Sequence, residues 1–79
     1  MTAEAVDRIL DTSGLNCPLP LLKLKKAIRT IPPGGLIEVI ASDPGAPEDF
    51  QVFCTTEGHD LVEATAAEGR FTALIRRAA

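Results

Sequence analysis

Cys17 stands in the run Gly14-Leu15-Asn16-Cys17-Pro18-Leu19-Pro20, directly before an amphipathic stretch, where two prolines fix it at the mouth of a helix. Proline at the first helical position is tolerated because the amide it lacks has no partner inside the helix. Pro20 discriminates between two starts. With Asn16 as the cap, Pro20 is the fourth helical residue and deletes a backbone bond; with Cys17 as the cap it is the third and deletes none. Cys17 is therefore expected at the N-cap, although Asn16 is by side chain the better capping residue. The positive end of the helix dipole favours thiolate over thiol, and thiolate is the form that attacks and carries sulfur. The prolines remove two of the four orphan amides, leaving mainly those of Leu19 and of Cys17 itself. A modest depression of the Cys17 pKa is expected, aided by the lysines that follow.

Other residues capable of chemistry are few. Cys54 falls on an apolar helix face beside Phe53 and reads as core, with a resolving role open only if the fold brings it to Cys17. His59, the single histidine, follows Gly58 and reads as a strand-start residue with a satisfied hydrogen bond. A metal centre would need Cys17, Cys54 and His59 together, at spacings that match no zinc pattern, so no metal is expected. One histidine does not suffice to build and orient a hydrolytic triad freely. Sulfur transfer and redox exchange are what remain.

The elements that must position Cys17 follow from periodicity. Val6 to Asp11 alternates as a short strand ending at Ser13-Gly14. From Pro18 to about Thr30, Leu21, Leu24, Ala27, Ile28 and Ile31 share one helical arc, and Pro32-Pro33-Gly34-Gly35 stops it. Leu36 to Ser42 is a near-continuous apolar strand of the kind found inside a sheet, interrupted by Glu38. Asp43-Pro44-Gly45-Ala46-Pro47 turns into a second helix, with Glu48 and Asp49 complementing its positive end, Phe50, Phe53 and Cys54 on its buried face and Gly58 closing it. Strands over His59 to Ala67 and Arg70 to Arg76 join at Glu68-Gly69 in a tight hairpin. The order is βαβαββ. A strand–helix–strand unit prefers a right-handed crossover with parallel strands, which predicts an α+β two-layer sandwich: a four-stranded mixed sheet with both helices on one face. Arg77 to Ala79 are expected to fray.

The chain has 79 residues, 46% of them hydrophobic, near the lower limit at which a core alone supports folding, and a single domain is expected over 1–79. Its net charge is −3, yet four of its eight basic residues, Lys23, Lys25, Lys26 and Arg29, fall in the first helix, and no acid lies between Asp11 and Glu38. Charge runs are ordinarily solvated faces. Leu22, however, projects between Arg29 and Lys26 on the basic side, which marks a docking surface for an acidic partner. Three phenylalanines with no tryptophan or tyrosine, and a negative total charge, argue against direct nucleic-acid binding. No window approaches a membrane span and no leader-like segment opens the chain, so a cytoplasmic location and free thiols are expected.

Gly14 to Pro20, together with Ser42-Asp43-Pro44-Gly45-Ala46, Asp49, Phe53-Cys54, Gly58-His59, Leu61 and Ile75-Arg76, resembles the TusA (SirA-like) family of small sulfur-carrier proteins, whose shared pattern is Cys-Pro-x-Pro. The likeness runs over almost the whole chain. It implies a sulfurtransferase that accepts sulfane sulfur as a persulfide on Cys17, with no cofactor beyond that covalent sulfur. The implied donor is a cysteine desulfurase or a rhodanese-type protein, and the implied acceptor a cysteine of a DsrE/TusD-type protein. The pathways implied are tRNA 2-thiouridine formation, molybdenum cofactor synthesis and dissimilatory sulfur oxidation. Some tRNA-thiolation members carry glutamate between the prolines, whereas this chain has Leu19, as related proteins of sulfur oxidisers often have an apolar residue there. The alternative from another class is a thiol redox or regulatory interaction module that uses the same Cys17.

Overall fold

The computed structural model describes residues 6–78. Strand β1 spans Arg8–Thr12, helix α1 Leu19–Ala27 with a terminal 3-10 turn at Ile28–Thr30, β2 Leu36–Ala41, α2 Ala46–Glu57, β3 Asp60–Ala67 and β4 Arg70–Arg76. This is the expected βαβαββ order. The four strands form one mixed sheet in the order β1-β2-β4-β3. β1 runs parallel to β2, with Leu10 opposite Val39, and β4 is antiparallel to both β2 and β3.

Strand alternation decides which face is covered. Ile37, Val39 and Ala41 of β2 pair with Ile75, Ala73 and Phe71 of β4, and the first three together with Ala73 and Ile75 are buried. Leu24, Ala27 and Ile28 from the first helix, and Ala46, Phe50, Phe53 and Cys54 from the second, pack onto them in one cluster. Burying a side chain such as Phe50 or Leu24 contributes about 1.5–3 kcal/mol each, so a few such residues carry much of a small fold. Glu38 and Ile40, on the other face of β2, are half-buried. The α+β two-layer arrangement is thus as the periodicity predicts.

The punctuation also follows local chemistry. Gly58 takes φ +79° at the end of α2, a left-handed cap that suits glycine. Glu68 and Gly69 both have positive φ, as a two-residue hairpin turn requires.

Several boundaries differ: β2 ends at Ala41 rather than Ser42 and β3 starts at Asp60 rather than His59. β1 begins at Arg8 rather than Val6 and reaches Thr12, because its pairing with β2 sets its length. The last turn of the first helix tightens to 3-10 before Pro32. The predicted fraying of the C-terminus does not hold for Arg77 and Ala78. The Arg77 N–H donates to the Gly35 carbonyl at 2.8 Å, its carbonyl accepts from the Gly34 N–H at 3.0 Å, and its guanidinium reaches the Ile31 carbonyl. The Pro32–Gly35 turn exposes backbone groups that need partners, and the extension of β4 supplies them. Ala79 lies outside the described residues. Among the described residues, no helix is long and apolar enough to cross a membrane.

Because β1 and β2 are adjacent and parallel, and each is followed by a helix, α1 and α2 start at the same edge of the sheet. That edge carries Cys17.

Candidate functional site

The segment that presents Cys17 is anchored at both ends. Thr12, fully buried at the end of β1, donates its hydroxyl to the Ile40 carbonyl at 2.6 Å, tying β1 to β2 just before the loop. Its own carbonyl accepts from the Leu15 N–H at 3.2 Å, closing a turn in which Gly14 takes φ +84°. The Gly14 N–H donates to Ser42 Oγ at 2.8 Å, so this loop is fastened to the one that follows β2. Beyond it, the Cys17–Pro18 peptide bond is cis and the Leu19 N–H donates to the Asn16 carbonyl at 2.8 Å.

The helix then begins one residue later than expected. Pro18 occupies the N-cap, its carbonyl accepting from the Leu22 N–H at 3.1 Å, and Pro20 falls at the second helical position, buried. Both prolines are still in places where a missing amide costs nothing. Cys17 is displaced from the N-cap to the turn before it, because Asn16 closes that turn through its carbonyl.

Cys17 is exposed, and its Sγ donates to Asp49 Oδ2 at 2.8 Å. Asp49 belongs to the first turns of α2. Asp43, in the loop before that helix, accepts from the Gly45 N–H at 2.9 Å. Gly45 lies against the cysteine: a Cβ there would come within 3.9 Å of Cys17 Cβ and 3.1 Å of Asp43 Oδ2. The thiol therefore rests on the start of the second helix, facing two carboxylates.

This reverses the expected electrostatics. The hydrogen bond to Asp49 raises the Cys17 pKa above its ordinary value, desolvation adds to it, and the charges of Asp49 and Asp43 oppose a further anion. Of the two amides expected to solvate a thiolate, that of Leu19 is engaged by the Asn16 carbonyl; at the start of α2, the amides of Gly45 and Ala46 are taken by Asp43. The lysines stand farther along α1. The site thus favours the thiol form of Cys17, where the helix dipole alone was expected to favour the thiolate.

The basic residues of α1 are all exposed but do not form one face. Lys23 and Lys26 line a groove toward β1 with Arg8 and Leu10. Lys25 and Arg29 line a cleft of about 260 Å³ on the side of α2, with Phe53, Glu57, His59 and Arg77. Leu22 is 52% and Leu19 46% exposed, so the surface closest to Cys17 along the first turns of α1 is apolar.

Cys54 is sealed in the core, and burial, with Asp60 nearby, pushes its pKa up to about 11. It is not brought together with Cys17; both are free thiols. His59 accepts from the Ala78 N–H through Nδ1 at 2.9 Å and lies 5.0 Å from the Phe53 ring, and burial lowers its pKa. Its hydrogen bond is satisfied as its position predicts, although β3 starts one residue later, at Asp60.

Asp49 and Asp43 are the site residues that sequence reasoning assigned only to helix capping and turn formation. The signal was present in the topology: side chains following two adjacent parallel strands must meet at one edge of the sheet.

Comparison with known proteins points the same way. The family model described as sulfurtransferase TusA matches residues 8–77. The chain is 45% identical over 76 residues to the sulfur carrier protein TusA of Pseudomonas aeruginosa, covering 96% of each. It is 44% identical over 71 residues to the protein of that name from Allochromatium vinosum, covering 90% of this chain and 93% of the other. The crystal structure of a SirA-like protein from Desulfitobacterium hafniense superposes with a TM-score of 0.78 at 20% identity, over 91% of this chain and 99% of that one, a likeness of fold.

Proposed function

Since this chain belongs to the TusA family of sulfur carriers, we propose that Cys17 is the carrying atom's seat, taking sulfane sulfur as a persulfide and passing it to a cysteine of a second protein. The observation that supports this most directly is the exposure of Cys17 at the shared edge of two helix starts, where a partner's cysteine can approach in line. In the loading step a donor persulfide R–S–S⁻ meets the Cys17 thiol. The terminal sulfur moves to Sγ, the donor's S–S bond breaks as the new Sγ–S bond forms, and the Sγ proton ends on the donor: Cys17–SH + R–S–S⁻ gives Cys17–S–S⁻ + R–SH. Sulfur moves without net oxidation. Unloading is the same exchange run toward an acceptor thiol, so the site must hold the sulfur loosely.

Pro18 and Pro20 fix the segment that presents the thiol. Leu19 and Leu22 provide an apolar contact beside it, and Lys23, Lys25, Lys26 and Arg29 a positive field that steers an acidic partner. The donor fitting this scheme is a cysteine desulfurase or rhodanese-type protein, and the acceptor one of DsrE/TusD type. The reaction belongs in the cytoplasm, where thiols stay reduced. A Cys17–Cys54 redox couple is less well served, because Cys54 is buried in the core.

Incubation with a sulfane-sulfur donor followed by intact mass measurement tests the proposal. One added sulfur on the native chain and none on Cys17→Ser is expected. No addition to the native chain, or equal addition to the variant, would reject it.

A further inference from the structure

A carrier that must be inert when empty and reactive when loaded needs something that tells the two states apart. The contact between Cys17 and Asp49 has that property. A thiol has one proton to donate, and here it goes to Asp49 Oδ2 at 2.8 Å. Loading replaces the Sγ–H bond with an Sγ–S bond, after which Sγ has nothing to donate. The new terminal sulfur is an anion, and it arises beside two carboxylates, Asp49 from α2 and Asp43 from the loop before it. On its own segment the neighbours Leu15, Asn16, Pro18 and Leu19 carry no charge.

We propose that Asp49 is a positioning residue that separates the empty carrier from the loaded one: it holds unloaded Cys17 as a hydrogen-bonded thiol against the second helix, and it releases the side chain when Sγ is bonded to sulfur, so that the terminal sulfur turns away from the carboxylates toward solvent. This rests on Cys17 being the persulfide site. The empty carrier is thereby protected from oxidants and electrophiles, which react with thiolate. The loaded carrier presents its sulfur outward, past Leu19, to the acceptor. The proton that Cys17 Sγ donates to Asp49 is the one that must reach the donor's leaving thiolate during loading, so the carboxylate stands where that transfer begins.

The role is distinct from helix stabilisation, since an asparagine at this place keeps the size of the side chain and removes the charge. Asp49→Asn is compared with the native chain by iodoacetamide alkylation across a pH series, with the labelled peptides of Cys17 and Cys54 separated by mass. The midpoint for Cys17 is expected to move to lower pH in Asp49→Asn, and alkylation near neutral pH to rise by about tenfold for each unit of that movement. Alkylation of the terminal sulfur on the loaded chain is expected to change little, because Asp49 no longer touches it. An unmoved midpoint, or an equal acceleration of empty and loaded forms, would overturn the proposal. If Asp49→Asn fails to fold, the native chain decides: its Cys17 midpoint must lie above that of the same cysteine in the urea-unfolded chain, and a midpoint at or below it overturns the proposal. Failure of the native chain to load sulfur would instead refute the persulfide reading, a result separate from the empty-chain titration.

Discussion

Raising the pH should lower the stability of this protein, and one buried thiol should account for a measurable share of the loss. Cys54 is 3% exposed, and its folded pKa stands near 11 against an ordinary 9.0. A pKa raised by folding means that the folded state binds the proton more tightly. The resulting stabilisation is complete below pH 9 and is lost as pH climbs through 11. At about pH 10 the unfolded thiol is mostly ionised and the folded one mostly not, which removes about 1.4 kcal/mol; above about pH 11 the loss approaches 2.7 kcal/mol. A chain of this size has about 4–12 kcal/mol of stability in all, so the effect is measurable by urea unfolding at a series of pH values. The control is Cys54→Ala, which lacks the titrating group. It should begin about 1 kcal/mol less stable because of the space left in the core, and its stability should then fall less steeply between pH 8 and 10. Cys17 titrates with the same sign, but it is present in both chains and cancels in the difference. Parallel pH profiles for the two chains, or alkylation of native Cys54 at pH 8 as fast as that of Cys17, would show that the thiol is not held in the core as described.

Thr12→Val keeps the shape of a buried side chain but removes the hydroxyl that donates to the Ile40 carbonyl at 2.6 Å; urea unfolding should show a loss of about 1–3 kcal/mol, and a loss near zero would mean that the tie between β1 and β2 is not made. Leu22→Asp, on a side chain 52% exposed, should leave the thermal midpoint almost unchanged while slowing sulfur transfer to an acceptor protein, and an unaltered transfer rate would remove the start of α1 from the docking surface. Transfer to an acidic partner should also slow as salt rises toward about 0.15 M, where the screening length is roughly 8 Å; a salt-independent rate would exclude steering by Lys23, Lys25, Lys26 and Arg29.

Most of the architecture is legible in the residues alone because its determinants are local. The near-continuous apolar run over Leu36 to Ala41, the helical arc of Leu24, Ala27 and Ile28, the glycine at position 58 and the Glu68-Gly69 turn each report a backbone conformation within a few residues of themselves. The prominence of Cys17 is local as well, since two flanking prolines mark the place where the chain enters a helix.

What the residues alone left undecided is the chemical state of that thiol. Its sign depends on Asp49, 32 positions away, and on Asp43, whose charge also opposes an anion at Cys17. Sequence position made Asp49 a helix-capping charge; the parallel pairing of β1 with β2 made it the neighbour of Cys17. A dipole argument considers one helix end in isolation, whereas the field at a side chain sums every charge that folding brings near it. The location of the nucleophile was therefore fixed by local chain chemistry, and its ionisation by the assembled fold.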